Sequence, residues 1–218
     1  MAKKTTIFIV DDHPLMRKGM GMTLQSELEF DVIGQSETAE EALKEIPKLK
    51  PDVAVIDISL PGMNGIELIK NLVIQIPELK ILVVSRHDEE LYAERAIRAG
   101  AKGYLMKLEA GDTLVTAVRQ ILNGNLFLSP EIGNQMIMKL AGNKAAQSND
   151  PLELLSDREL EVFELTGKGE STREIAEKLH VSVKTVESYR ARIKEKMDLN
   201  SANDLLRRAV QWIERSST

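Results

Sequence analysis

The sequence predicts an α/β domain with a doubly wound parallel sheet, followed by an all-α domain. In the first part of the chain, short runs of β-branched and aromatic residues alternate with amphipathic helical patterns. After residue 150 the patterns are helical only, and serines at capping positions divide them into four helices. At 218 residues, the chain is long enough for two domains that each have a core of ordinary size.

The first domain should contain five strands that alternate with five helices. The strands are predicted near 6–11, 31–35, 52–57, 79–84 and 103–106, and the helices near 13–27, 38–47, 64–76, 88–99 and 111–123. The strands are short and largely apolar, which is typical of strands buried on both faces. Thr38 and Glu41 have the spacing of a capping box at the start of the second helix. Five such units with short loops predict a flavodoxin-like sheet of five parallel strands.

The alternation of strands and helices stops after residue 123. Residues 130–141 are predicted to form a short helix, because Pro130 suits a first helical turn. The segment from Gly142 to Pro151 is small, polar and without periodicity, as expected of a linker. We therefore predict domains at 1–125 and 151–218, joined by a linker at 126–150 that contains the short helix.

The composition excludes several classes of protein. Without cysteine, the chain cannot form disulfides, thiolate-dependent active sites or cysteine-based zinc fingers. No apolar stretch is long enough to span a bilayer, and residues 1–6 lead directly into a strand, so a cytoplasmic protein without membrane association is expected. The net charge of −5 argues against indiscriminate binding of polyanions, although it does not exclude a local basic patch.

Charged residues follow three of the predicted strands. Asp11 and Asp12 follow the first strand, Asp57 the third and Lys107 the fifth. In a parallel sheet these strand ends lie on one edge, where open α/β sheets bind ligands. Three carboxylates beside one ammonium group are costly unless a divalent cation and an anionic group complete the site. This pattern predicts phosphoryl transfer to Asp57 with Mg²⁺ held nearby; the alternative is that the acids only cap a helix or end a strand in a solvated turn.

The second domain contains a predicted helix-turn-helix unit. Ser156 and Ser171 each precede a glutamate by three residues, which is the capping-box spacing, and Ser182 and Ser201 can cap two further helices. The middle two helices are separated only by a turn near His180. The second of this pair, at 184–196, carries a local excess of positive charge. This combination predicts DNA binding, and a four-helix bundle that does not contact DNA is the alternative.

The motifs resemble those of a known family. Asp11-Asp12-His13-Pro14, the segment Asp57-Ile-Ser-Leu-Pro-Gly-Met-Asn-Gly65, Ser85 and Gly103-Tyr-Leu-Met-Lys107 are similar to a response regulator receiver domain. The segments at 155–162 and 171–190 resemble the LuxR-type output domain. Together they identify the chain as a member of the NarL/FixJ family. The resemblance implies a non-enzymatic transcription regulator that is phosphorylated by a sensor histidine kinase, binds double-stranded promoter DNA and forms a homodimer when phosphorylated.

The resemblance also implies roles for individual residues of the first domain. Asp57 would be the phosphoacceptor. The implied Mg²⁺ ligands are the side chains of Asp12 and Asp57, Asp11 through a water, and the backbone carbonyl of Ser59. The groups implied to bind phosphate or switch conformation are Ser85, Tyr104 and Lys107. Many receivers have a cis proline after the lysine, whereas this chain has Leu108, so the isomer of that peptide bond is left open. His87 and His180 are expected to be surface or capping residues.

In the second domain, the resemblance places DNA contacts on residues 182–196 and a dimer face on 201–215. Three classes of residue are expected: base contacts (Glu187, Ser188 and Ala191), phosphate or groove-edge contacts (Thr172, Lys184, Thr185, Arg190 and Arg192) and a dimer face (Leu205, Ala209 and Trp212). Val186 and Ile193 should instead be core residues. Among these, Glu187 is suited to accept a hydrogen bond from cytosine N4.

Two functions from other classes remain as alternatives. The first is a phosphatase or phosphotransferase in which Asp57 is a turnover nucleophile, but enzymes of the haloacid dehalogenase type need a second acid two residues later, where this chain has Ser59. The second is a protein-interaction module whose C-terminal helices never bind DNA. A DNA-affinity measurement on residues 151–218 would separate the second alternative from a transcription regulator.

Overall fold

The computed structural model describes residues 3–141 and 151–216, and the chain divides into two compact units, 1–143 and 144–218. The first unit contains one five-stranded parallel sheet with strand order β2-β1-β3-β4-β5. Its strands are β1 (Thr5–Val10), β2 (Phe30–Ser36), β3 (Val53–Ile56), β4 (Lys80–Ser85) and β5 (Gly103–Met106). Its helices are α1 (Pro14–Gln25), α2 (Ala39–Leu49), α3 (Gly65–Gln75), α4 (Glu89–Ala99), α5 (Ala110–Leu122) and α6 (Pro130–Leu140). The predicted doubly wound sheet is confirmed.

The sheet is buried on both faces, as its apolar strands predict. Every residue of β3 is inaccessible to solvent, and the same is true of the four residues of β4 from Ile81 to Val84. One face packs against α1 and α5, where Leu24 and Leu114 belong to one buried core cluster with Ile7 and Val55. The strand order reverses between β1 and β3, because the chain winds outward from this pair in both directions. In open α/β sheets this switch point forms a crevice at the carboxyl ends of the strands.

The segment after α5 belongs to the first unit. Phe127 forms backbone hydrogen bonds on both sides of Gly103: its N–H donates to the Lys102 carbonyl (3.0 Å), and its carbonyl accepts from Tyr104 (2.8 Å). Helix α6 follows and is tied to α4 by an ion pair between Lys139 and Glu94 (2.6 Å). The first unit thus extends past residue 125, while residues 142–150 of the predicted linker lie outside the described residues. The predicted domain limits stay a prediction.

The second unit contains four α-helices among its described residues: α7 (Asp157–Gly167), α8 (Thr172–Lys178), α9 (Val183–Lys196) and α10 (Ala202–Ser216). The predicted capping boxes form at Ser156 and Ser171. Gly167 permits close packing of α10 on α7, since a Cβ atom there would lie 2.5 Å from the Ala209 carbonyl oxygen. The predicted four-helix domain is confirmed. Among the described residues of both units, no helix is long and apolar enough to cross a membrane.

Candidate functional site

The carboxyl ends of β1, β3 and β5 bring Asp11, Asp57 and Lys107 together. The Lys107 Nζ atom lies 2.7 Å from Asp57 Oδ2 and 2.8 Å from Asp11 Oδ2. The side chains of Asp11, Asp57 and Lys107 are only 0%, 2% and 6% exposed. One ammonium group therefore forms ion pairs with two carboxylates at a site that is almost inaccessible to solvent. The peptide bond that follows Lys107 is trans, as are the other peptide bonds of the described chain.

This arrangement leaves negative charge that Lys107 does not neutralise. Burial raises the pKa of the Asp57 carboxyl and Lys107 lowers it, while Asp11 raises it further; the net shift is upward. Within the described part of the chain, Asp57 Oδ1 has no hydrogen-bond partner, and Asp11 Oδ2 lies at ion-pair distance from Lys107 but without hydrogen-bond geometry. Buried carboxylate oxygens without partners are costly, so the site is suited to a further cation.

The donor set fits a divalent metal ion. Asp11, Asp12, His13 and Asp57 each offer one ligand atom, and these atoms lie within 4.8 Å of one another. Three of the four are carboxylates, which are the ligands that Mg²⁺ prefers. The Asp12 carboxylate is about one-third exposed and lies 2.5 Å from His13 Nδ1, so the histidine occupies one of its oxygens. The acidic residues predicted to bind Mg²⁺ through their side chains are thus within reach of a single ion.

Ser85 and Tyr104, the predicted switch residues, both contact His87. Ser85 is fully buried at the end of β4, and its hydroxyl accepts a hydrogen bond from the His87 N–H (3.2 Å). The Tyr104 hydroxyl donates to the His87 carbonyl (2.8 Å). The His87 ring stacks on Tyr92 at 4.3 Å and lies 2.6 Å from the Ser59 hydroxyl through Nε2. His87 is half-buried and connects these residues, whereas the sequence predicted only a surface or capping role. No sequence pattern indicated these contacts.

An apolar groove of about 610 Å³ opens beside Lys107. Leu15 and Leu108 line it and are 86% and 93% exposed, and His13 and Arg86 lie beside them. A second cleft, of about 470 Å³, is lined by Lys3, Lys50 and Lys80 near the amino ends of the strands, away from every predicted site residue. The groove therefore adjoins the acidic site at His13 and Lys107.

In the second unit, one face of α9 is open to solvent. Val186 and Ile193 are fully buried and fix the helix against the domain core, as predicted. Thr185 is half-buried, and its side chain contacts the Ser182 hydroxyl at 2.7 Å. The remaining residues expected to contact DNA from this face are exposed: Lys184, Glu187, Ser188, Ala191 and Arg192. Their side chains are available to a ligand, and their individual contacts stay predictions.

Arg190 differs from the other residues predicted to contact DNA, because its guanidinium group turns into the domain. It donates to the hydroxyls of Thr172 (2.7 Å) and Thr166 (3.2 Å) and to the Glu170 carbonyl (3.3 Å). Its burial lowers its pKa. The sequence placed Arg190 correctly on α9 but did not indicate this direction. Thr172, also predicted to contact phosphate, is half-buried at the start of α8.

Both units match known protein families. A model described as "Response regulator receiver domain" matches residues 7–119, and one described as "Bacterial regulatory proteins, luxR family" matches residues 153–209. An oxygen regulatory protein NreC of Staphylococcus carnosus (strain TM300) is 35% identical over 209 residues, which cover 94% of this chain and 96% of that protein. The chain belongs to the NarL/FixJ family of response regulators. The resemblance inferred from the motifs is confirmed.

Other relatives of this response regulator agree with the assignment. The transcriptional regulatory protein DegU of Brevibacillus brevis is 33% identical over 226 residues, covering 97% of this chain and 96% of that protein. RcsB from Salmonella enterica serovar Typhimurium, solved bound to the promoter rprA with the phosphomimetic BeF₃⁻, is 26% identical with a TM-score of 0.63, over 94% of this chain and 98% of that one. The receiver domain of the putative response regulator NarL from Mycobacterium tuberculosis is 31% identical with a TM-score of 0.54, over 57% and 100% of the two chains.

The predicted dimer face of this response regulator requires a correction. Leu205 and Ala209 are 2% and 0% exposed, because the side of α10 that carries them packs inside the domain. They are core residues of the second unit, and the amphipathic pattern of α10 did not distinguish the core from an interface. Trp212 is half-buried, with its ring 6.1 Å from that of Phe163, while Leu206 is 43% exposed. A dimer face on α10 stays a prediction.

Proposed function

We propose that Asp57 accepts a phosphoryl group from a sensor histidine kinase, and that this modification controls DNA binding by the second domain. The observation that carries the proposal is the Asp57 carboxylate at the carboxyl end of β3, buried beside Lys107 with one oxygen free of hydrogen bonds. In the transfer, a carboxylate oxygen of Asp57 forms the new bond to phosphorus. The bond from phosphorus to the kinase imidazole nitrogen breaks, and its electron pair stays on that nitrogen.

The ligands that we propose for Mg²⁺ are the Asp12 and Asp57 side chains, Asp11 through a water, and the Ser59 carbonyl. This set consists of oxygens, and the close approach of the three carboxylates supports it. When bound, Mg²⁺ supplies positive charge to the nucleophile and to the incoming phosphoryl oxygens. The chain's own contribution is to hold the buried Asp57 carboxylate in a fixed direction beside Lys107.

We propose that Lys107 and Ser85 bind the phosphoryl oxygens. Lys107 already lies 2.7 Å from Asp57, so its ammonium group can reach an oxygen on the phosphoryl group attached there. The Ser85 hydroxyl accepts from the His87 N–H, which leaves its own proton available for donation to a phosphoryl oxygen. Movement of Ser85 toward that oxygen would vacate space beside Tyr104. Tyr104, which is already buried, would then leave the His87 carbonyl and move into that space, which biases a two-state equilibrium of the receiver surface.

For DNA recognition we propose that α9 lies in the major groove. Its exposed face supports this role: Glu187, Ser188 and Ala191 would contact bases, while Lys184 and Arg192 would contact phosphates. Thr185, which is half-buried, would contact a phosphate at the edge of this face. A solved structure of RcsB contains two dimers bound to two parallel DNAs. For this chain we propose a homodimer in the phosphorylated state, with Leu206 and Trp212 on α10 as candidate interface residues, since they retain exposed surface.

We further propose that the protein turns over no substrate of its own and acts in the cytoplasm. A turnover phosphatase of the haloacid dehalogenase type needs an acid two residues after the nucleophile, and Ser59 occupies that position. The side-chain hydroxyl of Ser59 contacts His87, and it cannot replace a carboxylic acid as a proton donor near neutral pH.

Labelling with acetyl phosphate and Mg²⁺ tests the phosphoacceptor. The wild-type protein should gain one phosphoryl group by intact-mass spectrometry, and Asp57→Asn should gain none, because an amide is a poor nucleophile. Asp31→Asn is the matched control, since Asp31 is an exposed aspartate of the same domain that should not affect labelling. Full labelling of Asp57→Asn, or equal loss of labelling in Asp31→Asn, would show that the acceptor has been assigned incorrectly.

A further inference from the structure

Arg190 lies on the proposed DNA-reading helix, yet its charged group points into the domain. We infer that Arg190 is a positioning residue that orients the Thr172 hydroxyl as a hydrogen-bond donor to the DNA backbone. This inference rests on the proposed role of α9 in DNA recognition. It assigns Arg190 a role that differs from the direct phosphate contact expected from the sequence.

The Arg190 guanidinium joins three separate parts of the domain. Thr166 lies in the last turn of α7, Glu170 in the connection that follows, and Thr172 at the start of α8; all three supply oxygen acceptors at 2.7–3.3 Å. A guanidinium is planar and holds its donors in a fixed fork, so bonds to three acceptors determine both its position and its direction. Lysine has a single ammonium centre and cannot reproduce this geometry.

Within the described part of the chain, the Arg190 guanidinium forms no ion pair. Its hydrogen-bond partners are two hydroxyls and one backbone carbonyl. The last carbonyls of a helix carry partial negative charge, and Arg190 lies beside the last turn of α7, where a cation is favourable. The position of the group is therefore fixed by neutral acceptors and by the end of α7.

The hydrogen bonds at Thr166 and Thr172 differ in whether the hydroxyl proton is already used. The Thr166 hydroxyl donates to the Val162 carbonyl (2.7 Å), so toward Arg190 it can act only as an acceptor. The Thr172 hydroxyl also accepts from Arg190 but donates to no other described residue. A hydroxyl has one proton, and here that proton remains available on a partly exposed side chain. A phosphate oxygen accepts hydrogen bonds and does not donate them, so it is a matching partner.

The same contacts help to fix the orientation of α9 relative to α8. Arg190 lies in the middle of α9, and its partners lie on both sides of the connection that leads into α8. The three hydrogen bonds of Arg190 therefore fix the orientation in which the exposed side chains of α9 can contact bases. Loss of the guanidinium should weaken DNA binding through geometry, without removing a charge that touches a phosphate.

The test uses phosphorylated full-length protein and a DNA duplex selected for binding from a pool of random sequences, with DNA affinity measured over a range of salt concentrations. Arg190→Met keeps the aliphatic length and removes the donors, and Thr172→Val keeps the shape and removes the hydroxyl. Lys184→Met is the reference, because Lys184 is an exposed cation of the same helix. Trp212, the one tryptophan of the chain, reports the thermal unfolding of the second domain by fluorescence.

We expect Arg190→Met to lower DNA affinity about 5- to 30-fold, the factor that corresponds to one or two hydrogen bonds. The salt dependence should keep its slope, whereas Lys184→Met should flatten it by about one unit. Thr172→Val should lower affinity by a similar factor. The double variant should be little weaker than either single variant, because both changes remove the same donor. Arg190→Lys should not rescue binding, since it restores the charge without the fork.

Three results would overturn the inference. A flatter salt dependence in Arg190→Met would indicate direct contact with a phosphate, and additive losses in the double variant would show that Arg190 and Thr172 act independently. Unchanged affinity with a lower unfolding temperature would reduce Arg190 to a stabilising residue. If Lys184→Met also left affinity and slope unchanged, the proposed DNA-reading helix itself would be wrong, so the two failures can be distinguished.

Discussion

Replacing Lys107 by methionine should destabilise the receiver domain in a way that depends on pH. Lys107 lies within ion-pair distance of both Asp11 and Asp57, and all three side chains are almost inaccessible to solvent. Methionine has a similar length but no charge. The variant therefore leaves two buried carboxylates without the ammonium group that they share, and one of them should take up a proton.

The size of the effect can be bounded. Removing one partner of a buried ion pair costs about 3–5 kcal/mol, and the low exposure of this site calls for no reduction of that figure. Protonation sets an upper limit. An aspartate with a reference pKa of about 3.9 can be neutralised at pH 7.5 for about 5 kcal/mol, at roughly 1.36 kcal/mol for each pH unit. At pH 5.5 the limit falls to about 2 kcal/mol.

The direction of the Asp57 pKa shift determines how the stability of Lys107→Met changes with pH. The pKa of Asp57 is already raised by burial, and loss of Lys107 should raise it further. A raised carboxyl pKa means that the folded state binds more protons than the unfolded state. Stability then falls as pH rises from the unfolded pKa of about 3.9 to the folded pKa. Lys107→Met should therefore be closest to wild type at low pH and weakest at neutral pH.

Urea unfolding followed by circular dichroism measures this difference, while Trp212 fluorescence reports the second domain separately. Lys102→Met is the matched control, because Lys102 is exposed and precedes the same strand. Mg²⁺ should restore part of the lost stability by binding the folded state. A Lys107→Met variant as stable as Lys102→Met at pH 7.5, or a loss that does not change between pH 5.5 and 7.5, would refute the argument.

Three further predictions concern the switch, the second domain and base recognition. Ser85→Ala should accept phosphate yet gain little DNA affinity, and equal activation of mutant and wild type would exclude Ser85 from the switch. Burial alone would raise the pKa of Glu159, but hydrogen bonds from Lys196 and Ser156 lower it overall, so its stabilising contribution should be lost as pH falls through that lowered pKa. Glu159→Gln keeps the capping geometry and should flatten the acid limb of the Trp212 unfolding curve; an unchanged limb would contradict this. Glu187→Ala should relax preference at one base pair by roughly 1–3 kcal/mol, measured across a panel of operator variants, and uniform loss over all sequences would contradict a base contact.

The architecture and the acidic site could be predicted because both follow from patterns along the chain. Apolar runs that end in Asp11, Asp57 and Lys107 predict strand ends, and a parallel sheet brings those ends to one edge. The capping boxes at Ser156 and Ser171 likewise determine local backbone geometry within four residues. In each case a short sequence signal is sufficient, since the long-range geometry is set by the fold class.

The directions of individual side chains could not be predicted in the same way. Arg190 and Arg192 are both cations of α9, and only the packing of α7 and α8 decides that Arg190 turns inward. Leu205 and Leu206 are adjacent and equally apolar, but one is buried and the other is exposed. One contact of His87 depends on Ser59, which lies 28 residues earlier in the chain. Helical periodicity predicts which residues share a face of the helix, whereas tertiary packing decides what that face contacts.

The central claim is that phosphorylation of Asp57 controls DNA binding by α9. The most direct test compares the affinity of wild type and Asp57→Asn for the natural promoter, each with and without acetyl phosphate and Mg²⁺. We predict that phosphodonor tightens binding by the wild type and leaves Asp57→Asn unchanged, while Asp31→Asn follows the wild type. Equal affinities of the wild type in both conditions, or tightening of Asp57→Asn by the phosphodonor, would contradict the account.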